Sequence, residues 1–435
     1  MKTMKICIAG LGNVGSYVVD SLSQNEKYIV DKTFIKFEIK GISAKNRNKK
    51  RIFNCDHFKW YENPFDLINN SKSDIFIELI GEEKGISYEL IKIALNKKLH
   101  VITANKALIA KHGNDLFKIA EHNNVLLLFE AAVSAGLPII RVLKQSLFLN
   151  KINKISGILN GTTNFILSQM YKNDLDFIHV LKDAQKKGFA EANPKNDIEG
   201  IDAAHKLTIL SVLCFGVKFN FKNVIYKGIS NINNQDIKFS KQLGYKIKLI
   251  GSSVIINDKI TSVVEPTLVK NTSKLANVNG AQNGIKIESD YLSSLFIEGD
   301  GAGGKATASS IISDLLEIAK GSNINSLGYE IKQLKEIEAM NYNERVCSYY
   351  LRIVVMDIPG VLATITSNMN EEGISIETIL QLPHNDVADS NVKVPIIITT
   401  HETTFKLLNK VIMKIENLDF VVSKIIIISI DKDLI

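Results

Sequence analysis

Between Gly188 and Lys206 the chain reads Gly-Phe-Ala-Glu-Ala-Asn-Pro-Lys-Asn-Asp-Ile-Glu-Gly-Ile-Asp-Ala-Ala-His-Lys. A helix is expected from near Asp197, a good N-cap, with Glu199 in its first turn. Asp202 and Lys206 are four residues apart on that helix and share one face, and Glu191 lies on the loop just upstream. Two carboxylates and one ammonium can hold a small amino acid by its α-ammonium and still leave a group free to move a proton. An exposed ion pair beside a loop acid, worth roughly 0.2–0.5 kcal/mol, explains the same spacing. The surrounding elements have to decide between the two.

Those elements begin at the N-terminus. Lys5 to Ala9 reads as a buried strand, followed by Gly10-Leu11-Gly12-Asn13-Val14-Gly15 and a helical pattern through Val18, Val19 and Leu22. Strand, Gly-x-Gly-x-x-Gly, helix is the dinucleotide-binding arrangement. Gly10 permits the tight turn, Gly12 lets the backbone approach a pyrophosphate, and Gly15 lets helix and strand pack closely. The second strand, Phe34 to Ile42, ends at Ser43-Ala-Lys-Asn-Arg47 and not at the acid that usually holds a ribose. Ser43, Lys45 and Arg47 suit a 2′-phosphate, which favours NADP over NAD. A solvated basic loop is the plainer alternative.

Further strands (Asp74–Ile80, His100–Ile102, Val125–Phe129) alternate with helices, as in a doubly wound parallel α/β sheet whose ligands sit at the carboxyl ends of its strands. Lys106 follows one such end and could touch cofactor and substrate together. Glu130-Ala-Ala-Val-Ser-Ala-Gly-Leu-Pro138 places an acid and a turn of small residues at another. One carboxylate plus backbone carbonyls could hold a monovalent cation, although a tight crossover explains the same turn.

From residue 150 the pattern changes. Lys154 to Leu159 is strand-like and meets Asn160-Gly-Thr-Thr-Asn-Phe, where Asn160 or Thr162 can cap a helix or, with its free NH groups, receive a carboxylate. Short β-type runs follow: Val224–Ile229, Tyr245–Ile250, Ile260–Val264, Gly284–Ile287 and Ser294–Glu298. Gly299-Asp-Gly-Ala-Gly-Gly304 then leads into a helix, Thr307 to Lys320. The expected organisation is a Rossmann-type domain (1–140), a mixed α/β domain (141–320), a polar connector (321–346) and a small C-terminal α/β domain (347–435).

Composition excludes other classes. The 435 residues carry a net charge of +7, but lysine is spread along the chain without the aromatic-interleaved clusters of a nucleic-acid surface. No apolar run reaches the length of a membrane span. The four cysteines stand far apart, with no Cys-x-x-Cys, which fits a reducing, cytoplasmic setting.

Taken together, GLGNVG (10–15), VITANKALIAKHG (101–113), EAAVSAGLPII (130–140), GILNGTTNFIL (157–167), GFAEANPKNDIEGIDAAHKL (188–207) and GDGAGGKATASSIISDL (299–315) resemble homoserine dehydrogenase almost end to end. The resemblance implies a Rossmann-type domain joined to a mixed α/β domain that binds substrate and forms a homodimer or higher homo-oligomer. It also implies reduction of L-aspartate 4-semialdehyde to L-homoserine with NADPH or NADH. By the same resemblance Lys206 matches the proton donor and Lys106 a second lysine near nicotinamide and substrate. Glu191 and Asp202 match the acids that hold homoserine. Glu130, Val133, Ala135 and Leu137 match a sodium site, and Gly188 and Gly303 match cofactor contacts. Ile80-Gly-Glu82 and Lys305-Ala306 depart from the family pattern beside the cofactor region.

The tail resembles an ACT domain, with Asp357-Ile-Pro-Gly360 as its turn and a βαββαβ order expected around it. That implies either an amino-acid effector, threonine, or a purely structural dimerising module. Two rivals to the main reading are another Rossmann oxidoreductase and an inactive amino-acid sensor. The Glu191/Asp202/Lys206 set argues against the first, and retention of both Lys106 and Lys206 against the second.

Overall fold

The computed structural model describes residues 1–322, 324–381 and 393–432. The chain forms two compact units, each assembled from separated stretches: Met1–Gly161 with Asp202–Val224 and Gln282–Ile337, and Thr162–Ile201 with Ile225–Ala281 and the residues from Glu338 onward.

The first unit is built on five parallel strands: β1 (Lys2–Ala9), β2 (Ile35–Ser43), β3 (Ile75–Glu78), β4 (His100–Thr103) and β5 (Leu127–Leu128). Their order is β2-β1-β3-β4-β5, so the chain reverses direction across the sheet between β1 and β3. A crevice at the carboxyl ends of the strands belongs at that point. Ile6, Ile8, Ile75 and Ile77 are fully buried because helices cover both faces of such a sheet. Each of these side chains contributes roughly 1.5–3 kcal/mol on leaving water.

Helix Asn13–Gln24 packs against helix Gly304–Ala319, so Val18 and Val19 share one core with Ile311 and Leu315. A helix nearly three hundred residues downstream thus completes the cofactor-type sheet. The same unit has an antiparallel trio: β6 (Ile152–Ile158) beside Gln282–Ser289, which in turn pairs Leu295–Asp300.

The second unit has a hairpin, Tyr245–Ile256 with Lys259–Lys270. Its two turn residues, Asn257 and Asp258, both have positive φ (50° and 58°), the geometry that follows the natural strand twist. Lys259–Lys270 continues parallel to Ile426–Asp431, and the sheet then runs antiparallel through Val346–Met356, Lys393–Thr400 and Ile376–Gln381. Helices Val361–Glu371 and Phe405–Glu416 cover it through Ile365, Leu408 and Val411. Strand, helix, two strands, helix, strand is the order from 346 to 431, apart from the two-residue strand Thr403–Thr404. Residues 382–392 and 433–435 of the C-terminal domain expected from the sequence lie outside the described residues.

Two local expectations need correction. No helix starts at Asp197: a single turn, Lys195–Ile198, stops at Gly200 (φ +81°), and the long helix runs from Ile201 to Phe215. Glu199 is therefore outside it and Asp202 sits in its first turn. Helices Phe177–Lys186 and Asn234–Gln242 also went unread from the sequence, the latter closed by a reciprocal Asn233/Asp236 capping box. No helix among the described residues is long and apolar enough to cross a membrane.

Candidate active site

Helix Ile201–Phe215 is buried from Asp202 to Cys214, so any charge on it must find a partner. Asp202 and Lys206 find each other: Asp202 Oδ2 lies 2.8 Å from Lys206 Nζ, with both side chains 9 % exposed. Lys206 also donates to the carbonyl of Leu159 at 2.6 Å. Asn160 Nδ2 donates to the same Asp202 oxygen at 2.9 Å. The other carboxylate oxygen, Oδ1, is 3.1 Å from Lys106 Nζ, whose side chain is 42 % exposed. Burial by itself raises the Asp202 pKa, but Lys106 and Lys206, with the Lys206 and Asn160 hydrogen bonds, outweigh it and hold the carboxyl well below the usual range. The result is a permanent carboxylate between one sheltered and one open ammonium.

Lys106 is brought there by its own helix, Lys106–His122, capped by Asn105, whose Oδ1 accepts from Leu108 NH. Asn114 and Phe219 exchange hydrogen bonds at 2.9 and 3.0 Å, and Phe117 stacks on Phe219 at 5.6 Å. These contacts lock the Lys106 helix to the segment that follows the Lys206 helix. Behind Lys106 sits Glu78, fully buried at the end of β3. It accepts from the NH groups of Ile80 and Gly81, from Ser87 Oγ and from Thr103 Oγ1. Thr103 in turn receives the NH of Asn105. An acid ending a strand of a doubly wound sheet was a signal for Glu78 that the sequence reading passed over.

His205 was also missed. It is 6 % exposed, stacks on Phe221 at 4.4 Å, and its Nε2 is buried with no hydrogen-bond partner among the described residues. Burial first, then the charge of Lys111, lowers its pKa to about 4, so the ring is neutral at physiological pH.

The glycine turn has the shape a dinucleotide needs. Gly10 has φ +98°, and a Cβ there would sit 2.3 Å from the Leu79 carbonyl carbon; one on Gly15 would sit 2.0 Å from the Gly10 oxygen. A Cβ on Gly12 would meet nothing within 4 Å, so that face is open. Leu11 is buried, Asn13 and Val14 begin the helix, and Arg51 Nε donates to the Leu11 carbonyl at 3.2 Å. The basic loop is thereby tied to the turn. Gly303 (φ +120°) starts helix Gly304–Ala319, where a Cβ on Gly304 would lie 2.1 Å from Tyr17 Cδ2.

Glu130 is 3 % exposed in a short turn, Glu130–Ala132. Its two oxygens accept from the NH groups of Ile140 and Arg141, both at 2.9 Å, and its own NH donates to Asp314 Oδ2 at 3.0 Å. Burial raises its pKa to about 7. Ala135 O accepts from Ser310 Oγ, and Leu137 O accepts from Ile139 NH at 2.8 Å. Val133 is fully buried, next to Ser134 at a positive φ of 49°.

In the second unit Thr162 Oγ1 donates to the Phe189 carbonyl at 2.7 Å, which ties helix Gly161–Asn173 to the loop bearing Gly188 (φ +76°) and Glu191. Glu191 is exposed, and its carbonyl accepts from Gln185 Nε2 at 3.1 Å.

Comparison with known proteins gives one answer. The family model for homoserine dehydrogenase matches residues 138–316, and that for the homoserine dehydrogenase NAD binding domain matches 10–130. A homoserine dehydrogenase from Neisseria gonorrhoeae is 37 % identical over 99 % of both chains. The crystal structure of a homoserine dehydrogenase from Thiobacillus denitrificans superposes with a TM-score of 0.92 at 36 % identity, covering 100 % of this chain and 99 % of that one. A hyperthermophilic archaeal homoserine dehydrogenase mutant in complex with NADPH (25 % identity, TM-score 0.63) covers 74 % of this chain and 99 % of its own. Residues beyond 316 lie outside both family models.

Proposed function

Because the chain belongs to the homoserine dehydrogenase family, NAD(P)-dependent oxidoreductases acting on a CH–OH group, we propose that it reduces L-aspartate 4-semialdehyde to L-homoserine at Lys206, Asp202 and Lys106. The observation that carries this is one buried carboxylate bonded to two ammoniums, Asp202 and Lys206 within one matched stretch and Lys106 within the other. When bound, the reduced nicotinamide supplies a hydride to the aldehyde carbon. Negative charge then grows on the aldehyde oxygen, and Lys206 gives that oxygen its proton, completing the CH–OH group. Lys106, more exposed, adds a second positive charge at the open side. Asp202, with Glu191, holds the α-ammonium of the substrate, and Thr162 lies at the helix start that receives its carboxylate.

The residues fit the cofactor. The open face of Gly12 admits a pyrophosphate where any side chain would intrude, and Gly10, Leu11, Asn13, Val14 and Gly15 shape that turn. Gly188 and Gly303 add backbone contacts. NADP is the expected cofactor, because Lys45 and Arg47 belong to a loop anchored to that turn by Arg51.

A monovalent cation, sodium, is assigned to Glu130 and the carbonyls of Val133, Ala135 and Leu137, since hard cations take oxygen ligands. Residues 1–140 bind the cofactor, 141–320 bind substrate and pair the subunits, and after the 321–346 connector 347–435 form an ACT-type module that takes threonine. Its support is the strand–helix–strand–strand–helix–strand order with Gly360 at φ +90°. A homodimer is supported by Phe148, Leu149 and Tyr291, exposed by 82, 71 and 70 % on two loops joined by the Lys151 NH to Asp290 bond. The free cysteines fit the cytoplasm.

The test is NADPH oxidation by the full chain with L-aspartate 4-semialdehyde, with and without millimolar threonine. No turnover removes the assignment, and a rate indifferent to threonine removes the effector.

A further inference from the structure

The second unit contains a cavity that the reaction leaves unused. Its volume is about 510 Å³, within the usual range for a small-ligand site. It lies between the last turns of helix Gly161–Asn173 and the start of strand Tyr245–Ile256. Tyr171, Lys172, Lys241, Lys246 and Lys248 line it, and among the described lining residues there is no aspartate or glutamate.

The lysines are arranged, not scattered. Lys241 and Lys246 stand 4.9 and 5.3 Å from the centroid of the same Tyr171 ring. Lys248, 2 % exposed, donates to Val278 O at 2.6 Å, to Asn164 Oδ1 at 2.9 Å and to Ser168 Oγ at 3.4 Å. These bonds fix a buried positive charge in the cavity wall. At the rim Lys246 meets Asn277 Oδ1 at 3.2 Å, and Lys241 meets Asp174 at 2.5 Å. Four lysines thus line one cavity, and the acid that pairs with Lys241, Asp174, has a side chain 54 % exposed.

One lysine at a helix C-terminus needs no ligand to explain it. Four around one concave space repel one another, and the repulsion is strongest where a charge is withdrawn from water. A bound anion converts that repulsion into attraction. Lysines recognise phosphate as point charges, without the planar fork that arginine uses for bidentate pairs. Tyr171, with both the Lys241 and Lys246 ammoniums within cation–π reach of its ring, holds the two charges beside the cavity it lines.

We propose that this cavity binds a small phosphorylated anion, with Lys172, Lys241 and Lys246 as its contacts and Lys248 as the fixed charge behind them. The site is independent of the reaction assigned above. Titration calorimetry of the full chain with pyrophosphate tests it, run with saturating NADP so that the glycine turn is filled. One saturable event is expected, weakening as ionic strength rises. The Lys241→Gln/Lys246→Gln double variant should weaken it about a hundredfold, roughly tenfold per charged contact, with NADP affinity unchanged. Lys172→Gln, at an exposed position, should cost about tenfold and serves if the double variant does not fold. Parallel titrations with inorganic phosphate and a sugar phosphate separate a bare-ion site from one that also reads an organic portion. Absence of saturable binding of all three anions to the wild type, or binding unaltered in the variants, overturns the proposal. Failure of NADP to bind beside intact pyrophosphate binding would count against the cofactor assignment alone.

Discussion

Asp202 and Lys206 form a buried ion pair one helical turn apart, Oδ2 to Nζ 2.8 Å, in a helix that hides both from solvent. Water neither screens this pair nor replaces either partner, so each residue's loss has a separate and measurable consequence.

Replacing Lys206 with alanine removes the proton donor. Turnover should fall about 10²- to 10⁴-fold, the usual contribution of a positioned acid. NADP binding followed by fluorescence titration should stay at the wild-type value, because the lysine's bonds to Asp202 and to the Leu159 carbonyl lie within the protein. Near-normal turnover would assign the proton to another group.

Asp202→Asn leaves two ammoniums without their carboxylate. Breaking a buried pair costs about 3–5 kcal/mol, which at about 2.1 cal/mol/K of unfolding entropy per residue corresponds to a fall in Tm of roughly 3–6 degrees in a 435-residue chain. The wild-type carboxylate's folded pKa is depressed, so its stabilisation is complete above the ordinary value of 3.8 and is lost only as pH falls through the lower folded value. Calorimetric scans at pH 7 and pH 4 should show the gap between wild type and variant at both values.

His205 contributes with the opposite pH dependence to that of a salt-bridged histidine. Its folded pKa is about 4 against 6.5 unfolded, so between those values the unfolded chain holds the extra proton. Stability should fall as pH drops from 6.5 towards 4, by at most about 3 kcal/mol from this residue. A Tm–pH profile of His205→Gln should be flatter than wild type in that window; parallel profiles would show that the ring titrates freely.

Gly12 and Gly15 should separate cofactor binding from folding. Alanine at Gly12 faces open space, so Tm should hold while the cofactor KM rises at least tenfold. Alanine at Gly15 would press its Cβ to 2.0 Å from the Gly10 carbonyl, so Tm should fall as well. Steady-state kinetics and a thermal melt on the two proteins check both statements.

Local grammar carried much of this. The glycine turn after β1 and the four-residue spacing of Asp202 and Lys206 are short-range patterns, readable because strand and helix periods are properties of the backbone. Even so, the position of Gly200 displaced the helix start from Asp197 to Ile201, since a left-handed residue ends one turn and begins another. Glu78 looked like any acid in a strand until Ile80, Gly81, Ser87 and Thr103 converged on it.

By itself, then, the sequence determined the cofactor-type turn, the alternation of strands and helices, and which charges share the face of one helix. Only the tertiary structure decided that Lys106, about a hundred residues earlier, closes on Asp202, and that Asn160 and the Leu159 carbonyl complete the pair. It also decided that helix Gly304–Ala319 finishes the core of the first sheet. The reason is burial. Which partner a charge takes, and whether that charge matters, depends on water being excluded by segments distant in sequence, and no local pattern encodes that exclusion.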